Sequence, residues 1–190
     1  AESLMILRPW NQWDKQGKPA AETPEIVEVL EKAISTSPDF PALNHLYIHA
    51  MEASPWPERA FGAANRLRDL MPGAGHLVHM PSHIDVLLGD YERVIQTNLR
   101  AIEADKEVLK RQGNMNFYTF YRIHNYHFVV YGAMFQGQSQ IALHAAEELV
   151  AQVPDALLRA QTDFLDAFMP MKFHVLVRFG RWEEILAEPE

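Results

Sequence analysis

Leu88-Gly89-Asp90-Tyr91-Glu92-Arg93-Val94 is the stretch that decides the fold. A glycine, then polar residues, then apolar residues at helical spacing read as a helix stop, a tight turn and a new helix start. The pattern recurs at Gln136-Gly137-Gln138-Ser139-Gln140-Ile141-Ala142 and at Phe179-Gly180-Arg181-Trp182-Glu183-Glu184-Ile185. It recurs with proline at the turn in Ser54-Pro55-Trp56-Pro57-Glu58-Arg59-Ala60. Pro55 and Gly89 lie 34 residues apart, and a further step of 34 backward reaches Ala21. Pro38, Pro72 and Pro154 each stand 17 residues after a turn, at Ala21, Pro55 and Gly137. A fixed period of this size is the mark of a repeat architecture built from helix pairs.

The flanking segments agree. Ile26, Val27, Val29, Leu30 and Ile34 follow a start signal of Thr23, Pro24 and Glu25. Pro41 opens a helix carrying Leu43, Leu46, Tyr47, Ile48 and Met51, and Ala60, Phe61, Ala64, Leu67 and Leu70 make another. Pro9 to Pro24 reads as a loop holding Trp10 and Trp13. No stretch alternates with a period of two, so the fold class is all-α, with roughly eight to ten helices of ordinary length. Pro81 falls inside one of them, where its missing N–H bends the axis.

Composition narrows the partners. The chain has 190 residues, 48% of them apolar and 22% charged, an ordinary globular balance. Its net charge of −8 argues against nucleic acid, which needs basic side chains to displace counterions. With no cysteine there is no disulfide, thiolate metal site or thiol nucleophile. No apolar run is long enough to span a membrane, so the expectation is a soluble protein, cytoplasmic by default. Ala1 in place of Met suggests a processed chain or part of a longer one. Phosphate-binding glycine loops, Gly-x-Ser-x-Gly and His-Glu-x-x-His are absent.

The period, the Gly-Asp-Tyr turn, the small residue five positions on and the closing proline resemble the tetratricopeptide repeat (TPR) family. The match is best over Gly89 to Asp105 and Gly137 to Pro154, and extends over most of residues 21–190. The resemblance implies an α-solenoid of antiparallel helix pairs, irregular at both ends. It divides a single repeat domain, 1–190, into a loop-rich lead-in (1–23), regular repeats (24–105), an aromatic insert (106–123) and divergent repeats (124–190). The step from Gly89 to Gly137 is 48 residues and from Gly137 to Gly180 it is 43. Open array ends imply self-association or flanking repeats.

Histidines carry the chemistry. Ten residues before a turn stand His45, His79 and His127; six before stand His49, His83 and His174; thirteen before stand His76 and His124. Nine histidines in 190 residues do not fall into one register by chance. Offsets of thirteen, ten and six share one helix face. In the TPR family that face of the first helix lines a concave groove. The resemblance therefore implies that His45, His49, His76, His79, His83, His124, His127 and His174 project into it. Glu52 joins His49 on that face as a ligand or general base, and Tyr131 replaces histidine in the following repeat. Imidazoles with one carboxylate and no thiol suit Zn, Cu, Fe, Mn or Ni. Such a centre would support hydrolytic or oxidative chemistry on a small or peptide substrate. The same groove equally suits a non-catalytic scaffold that captures a peptide or protein, or a surface that loosens as imidazoles charge near pH 6.

Phe117, Tyr118, Phe120 and Tyr121 form an aromatic cluster that fills an irregular repeat or walls the groove. Trp10, Trp13 and Trp56 are expected to pin loops, His144 to be structural, and Arg66 and Arg68 to form weak surface pairs with Asp69.

Overall fold

A computed structural model describes residues 1–187. The chain is all-helical. Its first compact unit, Ala1–Asp90, contains α1 (Glu2–Ile6), α2 (Thr23–Thr36), α3 (Pro41–Met51), a 3-10 turn (Pro57–Ala60), α4 (Phe61–Leu70), α5 (Gly75–His79) and α6 (Pro81–Leu87). The second, from Tyr91 on, contains α7 (Tyr91–Gln112), α8 (Tyr118–Phe135), α9 (Ser139–Ala151), α10 (Asp155–Ala160) and α11 (Thr162–Leu165). A 3-10 turn (Asp166–Phe168), α12 (Met171–Arg178) and α13 (Trp182–Ala187) complete it. Among the described residues extended pairing is limited to an isolated bridge between Trp13 and Pro19.

The predicted apolar stripes form the cores. In the first unit Ile26 and Leu30 of α2, Ile48 and Met51 of α3, Leu67 of α4 and Ile84 of α6 are all buried. Each such side chain contributes about 1.5–3 kcal/mol by leaving water. Helices α2 and α3, α3 and α4, and α4 and α6 pack on one another. In the second unit α8 lies between α7 and α9, and α12 packs on α9. A Cβ on Gly132 would stand 3.1 Å from the Tyr91 carbonyl oxygen, so the absence of a side chain sets how closely α8 approaches α7.

The three glycine turns share one geometry. Gly89, Gly137 and Gly180 have φ of 78°, 72° and 66°, the left-handed region. In each, the next residue's N–H reaches back five positions: Asp90 to Asp85, Gln138 to Ala133 and Arg181 to Leu176, all 2.9 Å. That is the Schellman stop, which satisfies carbonyls a helix end leaves open.

Several expectations change. The loop-rich lead-in also holds the short helix α1. Helix α7 continues past Asp105 to Gln112, so the insert begins as helix and ends as the first turn of α8. Pro81 divides the bent helix into α5 and α6 while Met80 between them keeps right-handed helical angles (φ −51°, ψ −38°). Such divisions raise the described α-helical segments to thirteen. Trp13 does pin its loop, donating Nε1–H to the Ala50 carbonyl at 2.7 Å and meeting Trp56 edge-on at 6.1 Å. Trp10 does not: it is 80% exposed, at φ 56°.

The largest revision concerns Arg68. It reaches α6, where its Nη1 and Nη2 donate to Asp85 Oδ2 and Oδ1 at 2.8 and 2.5 Å. Asp85 is fully buried. A two-point guanidinium–carboxylate contact fixes orientation as well as distance. Breaking a buried pair from one side leaves an uncompensated charge. Asp85→Ala is therefore expected to cost about 3–5 kcal/mol of stability in urea denaturation, and Arg68→Met with Asp85→Leu to recover most of it. A single-variant loss below about 1 kcal/mol would assign the pair no structural role.

Candidate metal centre

Helix α3, anchored by buried Ile48 and Tyr47, places His45 and His49 one turn apart, with ring centroids separated by 4.8 Å. Helix α5 supplies His76 and His79, and α6 supplies His83. The α5 and α6 rings converge because Met80 keeps the helical path across the Pro81 break: His79 Nε2 and His83 Nε2 are 2.8 Å apart. Across helices, His76 Nε2 lies 3.2 Å from His45 Nε2. One donor nitrogen from each of His45, His49 and His76 falls within 4.8 Å of the others. Four donors at about 2.0–2.1 Å from a tetrahedral ion stand about 3.3 Å from each other. The His45–His76 separation already equals one edge of that figure.

Glu52, the residue that ends α3, ties the cluster together. Its Oε1 lies 2.8 Å from His49 Nδ1 and its Oε2 2.5 Å from His83 Nδ1. An ionised carboxylate only accepts, so each imidazole donates its Nδ1–H and keeps the Nε2 lone pair for another partner. Metal-ligating histidines are characteristically oriented in this way. With both oxygens engaged by imidazoles, Glu52 acts as an orienting acceptor.

The electrostatics favour the neutral form of His45. Burial, then the proximity of His49, lowers the His45 pKa from 6.5 to about 4, against the pull of Glu52. Burial raises the Glu52 pKa, but hydrogen bonds from His49 and His83 outweigh it and bring the value down to about 2. Neutral imidazole beside carboxylate is the form that binds a cation.

The remaining predicted residues lie in the second unit. His124 and His127 are neighbours on α8, with rings 6.5 Å apart; His124 also meets Phe128, and His127 meets Phe168. Burial, then His174, lowers the His127 pKa. His174 is exposed on α12, and Tyr131 packs against Phe135 at 4.8 Å. Phe117 contacts Phe120 and Tyr121. Tyr118 donates to Asp105 at 2.7 Å and so ties α8 to α7. His144 is exposed on α9. The sequence reading overlooked Ser82, which is buried beside fully buried His79 and donates to its carbonyl at 2.7 Å. Position 82, next to His83, was the available signal; Arg68, seventeen residues before Asp85, offered none.

Beside His49 opens a cleft of about 200 Å³, lined by Leu46, Met5, Ile6, Trp10 and Gln12. No family model matches the chain, and neither does any curated protein or solved structure compared with it.

Acid works against this arrangement twice. Below pH 6.5 the unfolded chain protonates His45 before the folded chain does, so stability falls as pH drops toward about 4. The contribution of ionised Glu52 is present above pH 4.5 and fades as pH falls toward about 2. Urea midpoints measured in chelator are therefore expected to decline steadily from pH 7 to pH 4, and to decline less in His45→Gln. A flat profile in the unsubstituted protein would contradict the assigned environments.

Proposed function

We propose that the first unit binds a transition-metal ion through His45, His49 and His76, with His79 and His83 extending the donor set and Glu52 orienting two of the rings. The observation that carries this reading is the meeting of three imidazole nitrogens from α3 and α5 within 4.8 Å of one another. Ring ligands without thiolates suit zinc, copper, iron, manganese or nickel. The fold reading goes with it: a TPR-like array, supported by three glycine stops of one geometry, in which the histidine face lines a groove.

Held by these imidazoles, such an ion would keep its positive charge and would supply Lewis-acid activation of water for hydrolysis. A redox-active ion would supply oxidative chemistry instead. The apolar cleft beside His49 favours a small, largely apolar substrate.

Elemental analysis of protein purified without a histidine tag tests the proposal. Stoichiometric metal is expected, lost in His45→Ala/His76→Ala, with the melting temperature raised on readdition as binding requires. Retention of Glu52 should matter less than retention of ligands: Glu52→Gln is expected to weaken metal affinity about 10- to 100-fold rather than abolish it. Metal-free protein whose melting is unchanged by each of the five ions would leave the groove as a peptide-binding scaffold. Metal-loaded protein would next be screened for ester and amide hydrolysis and for oxygen uptake.

A further inference from the structure

The five histidines of the first unit fall into two sets. At ordinary metal–nitrogen lengths of about 2.0–2.1 Å, neighbouring imidazoles on one ion hold their ring centres about 5 Å apart, and opposite ones about 6 Å. His45 stands 4.8 Å from His49 and 5.1 Å from His76, and His79 stands 4.8 Å from His83. The links between the sets are longer, 6.3 Å from His76 to His79 and 6.1 Å from His49 to His83. Within the first set, His49 and His76 are 6.4 Å apart. Around one octahedral ion each donor has a single opposite partner. Here His49 has two rings at the opposite spacing, His76 and His83, and His76 has two, His49 and His79. Five rings so placed do not share one ion.

The second set is arranged to present two lone pairs at one point. Ionised Glu52 takes the Nδ1–H of His83, which leaves Nε2 of that ring as an acceptor. Ser82 acts in the same way on His79. Its hydroxyl donates to the His79 carbonyl at 2.7 Å, so toward His79 Nδ1, 3.5 Å away, it can only accept. That favours the tautomer with the proton on Nδ1 and the lone pair on Nε2. The two Nε2 atoms then face each other at 2.8 Å, where a cation beside both relieves their repulsion. The competing arrangement, in which His79 Nε2–H donates to His83, turns the His79 Nδ1 lone pair onto the Ser82 oxygen.

Glu52 joins the sets. One of its oxygens meets His49 and the other His83, so a negative charge lies against a ring of each set and offsets part of the repulsion between two cations. We infer that His79 and His83 hold a second transition-metal ion beside the one assigned to His45, His49 and His76, with Glu52 as the orienting carboxylate common to both. This two-metal centre rests on the metal binding proposed above. With two protein donors against three, the second ion is held more weakly and keeps more positions for water or substrate. Partly exposed His83 opens that position to solvent.

Copper(II) is the probe, because nitrogen sites bind it most tightly among the first-row divalent ions. The metal-free full chain is titrated against glycine as competing chelator and followed by electron paramagnetic resonance. Two ions per chain are expected. The arrival of the second is expected to change the signal of the first, by dipolar splitting with a half-field transition or by spin pairing, as only closely spaced copper(II) ions do. His83→Gln and His79→Gln, with folding checked by circular dichroism, are each expected to lose the second equivalent and keep the first. A second equivalent that adds an independent signal, or that survives His83→Gln, would lie elsewhere on the chain and overturn the inference. Saturation of the unsubstituted protein at one ion, or loss of both ions together in the folded variants, would overturn it too and leave a single metal centre standing. Binding of no copper would overturn both readings.

Discussion

A single carboxylate holds the candidate site in register. Glu52 reaches from the end of α3 to His49 on its own helix and to His83 on α6. Without an acceptor at that point, the two rings have no common reason to turn their Nδ1 edges inward. Burial alone opposes ionising Glu52, and the two imidazole donors reverse that effect. The carboxylate and the rings are therefore mutually dependent: the charge exists there because the rings donate, and the rings are oriented because the charge accepts.

Helix α6 is short, seven residues, and too brief to keep its own orientation in water. Two contacts supply that orientation. His83 meets Glu52, and Asp85, two residues along, meets Arg68 of α4. Residues two apart point to nearly opposite sides of a helix, about 200° around the axis. A helix held on opposite sides cannot roll without breaking one contact or the other. The Arg68–Asp85 pair thus positions His83 and, through the unbroken path at Met80, its neighbour His79.

How much of this was legible depends on the range of each interaction. Glycine stops at 89, 137 and 180 are local, requiring only a residue tolerant of positive φ after an apolar stripe, so the string alone marks them. The proximity of His45, His49, His76, His79 and His83 also followed from period and helix face, because their helices are close in sequence. The two-sided role of Glu52 did not: its second partner lies 31 residues away, and nothing in the string fixes which ring it meets. Arg68 shows the same limit more sharply. Beside Asp69 it has an obvious local partner, but solvent weakens exposed pairs while burial of Asp85 strengthens the demand for a distant one. Trp10 failed in the opposite direction, since an aromatic ring in a loop can pack only if the backbone turns it inward, and a left-handed φ is invisible in composition.

Proline 81 now reads as part of the site's construction. In a continuous helix, His76, His79 and His83 would form a rigid row with one fixed spacing. Proline removes one N–H and loosens that constraint locally, yet Met80 retains helical angles, so the row is adjusted rather than dispersed. The His83 N–H bonds to the Met80 carbonyl at 3.1 Å, a three-residue step that tightens the first turn of α6. His83 Nε2 stands 2.8 Å from Nε2 of fully buried His79, and His83 Nδ1 is directed at Glu52. A break that would weaken an ordinary helix here lets one ring face both a neighbour on its own segment and a carboxylate on another.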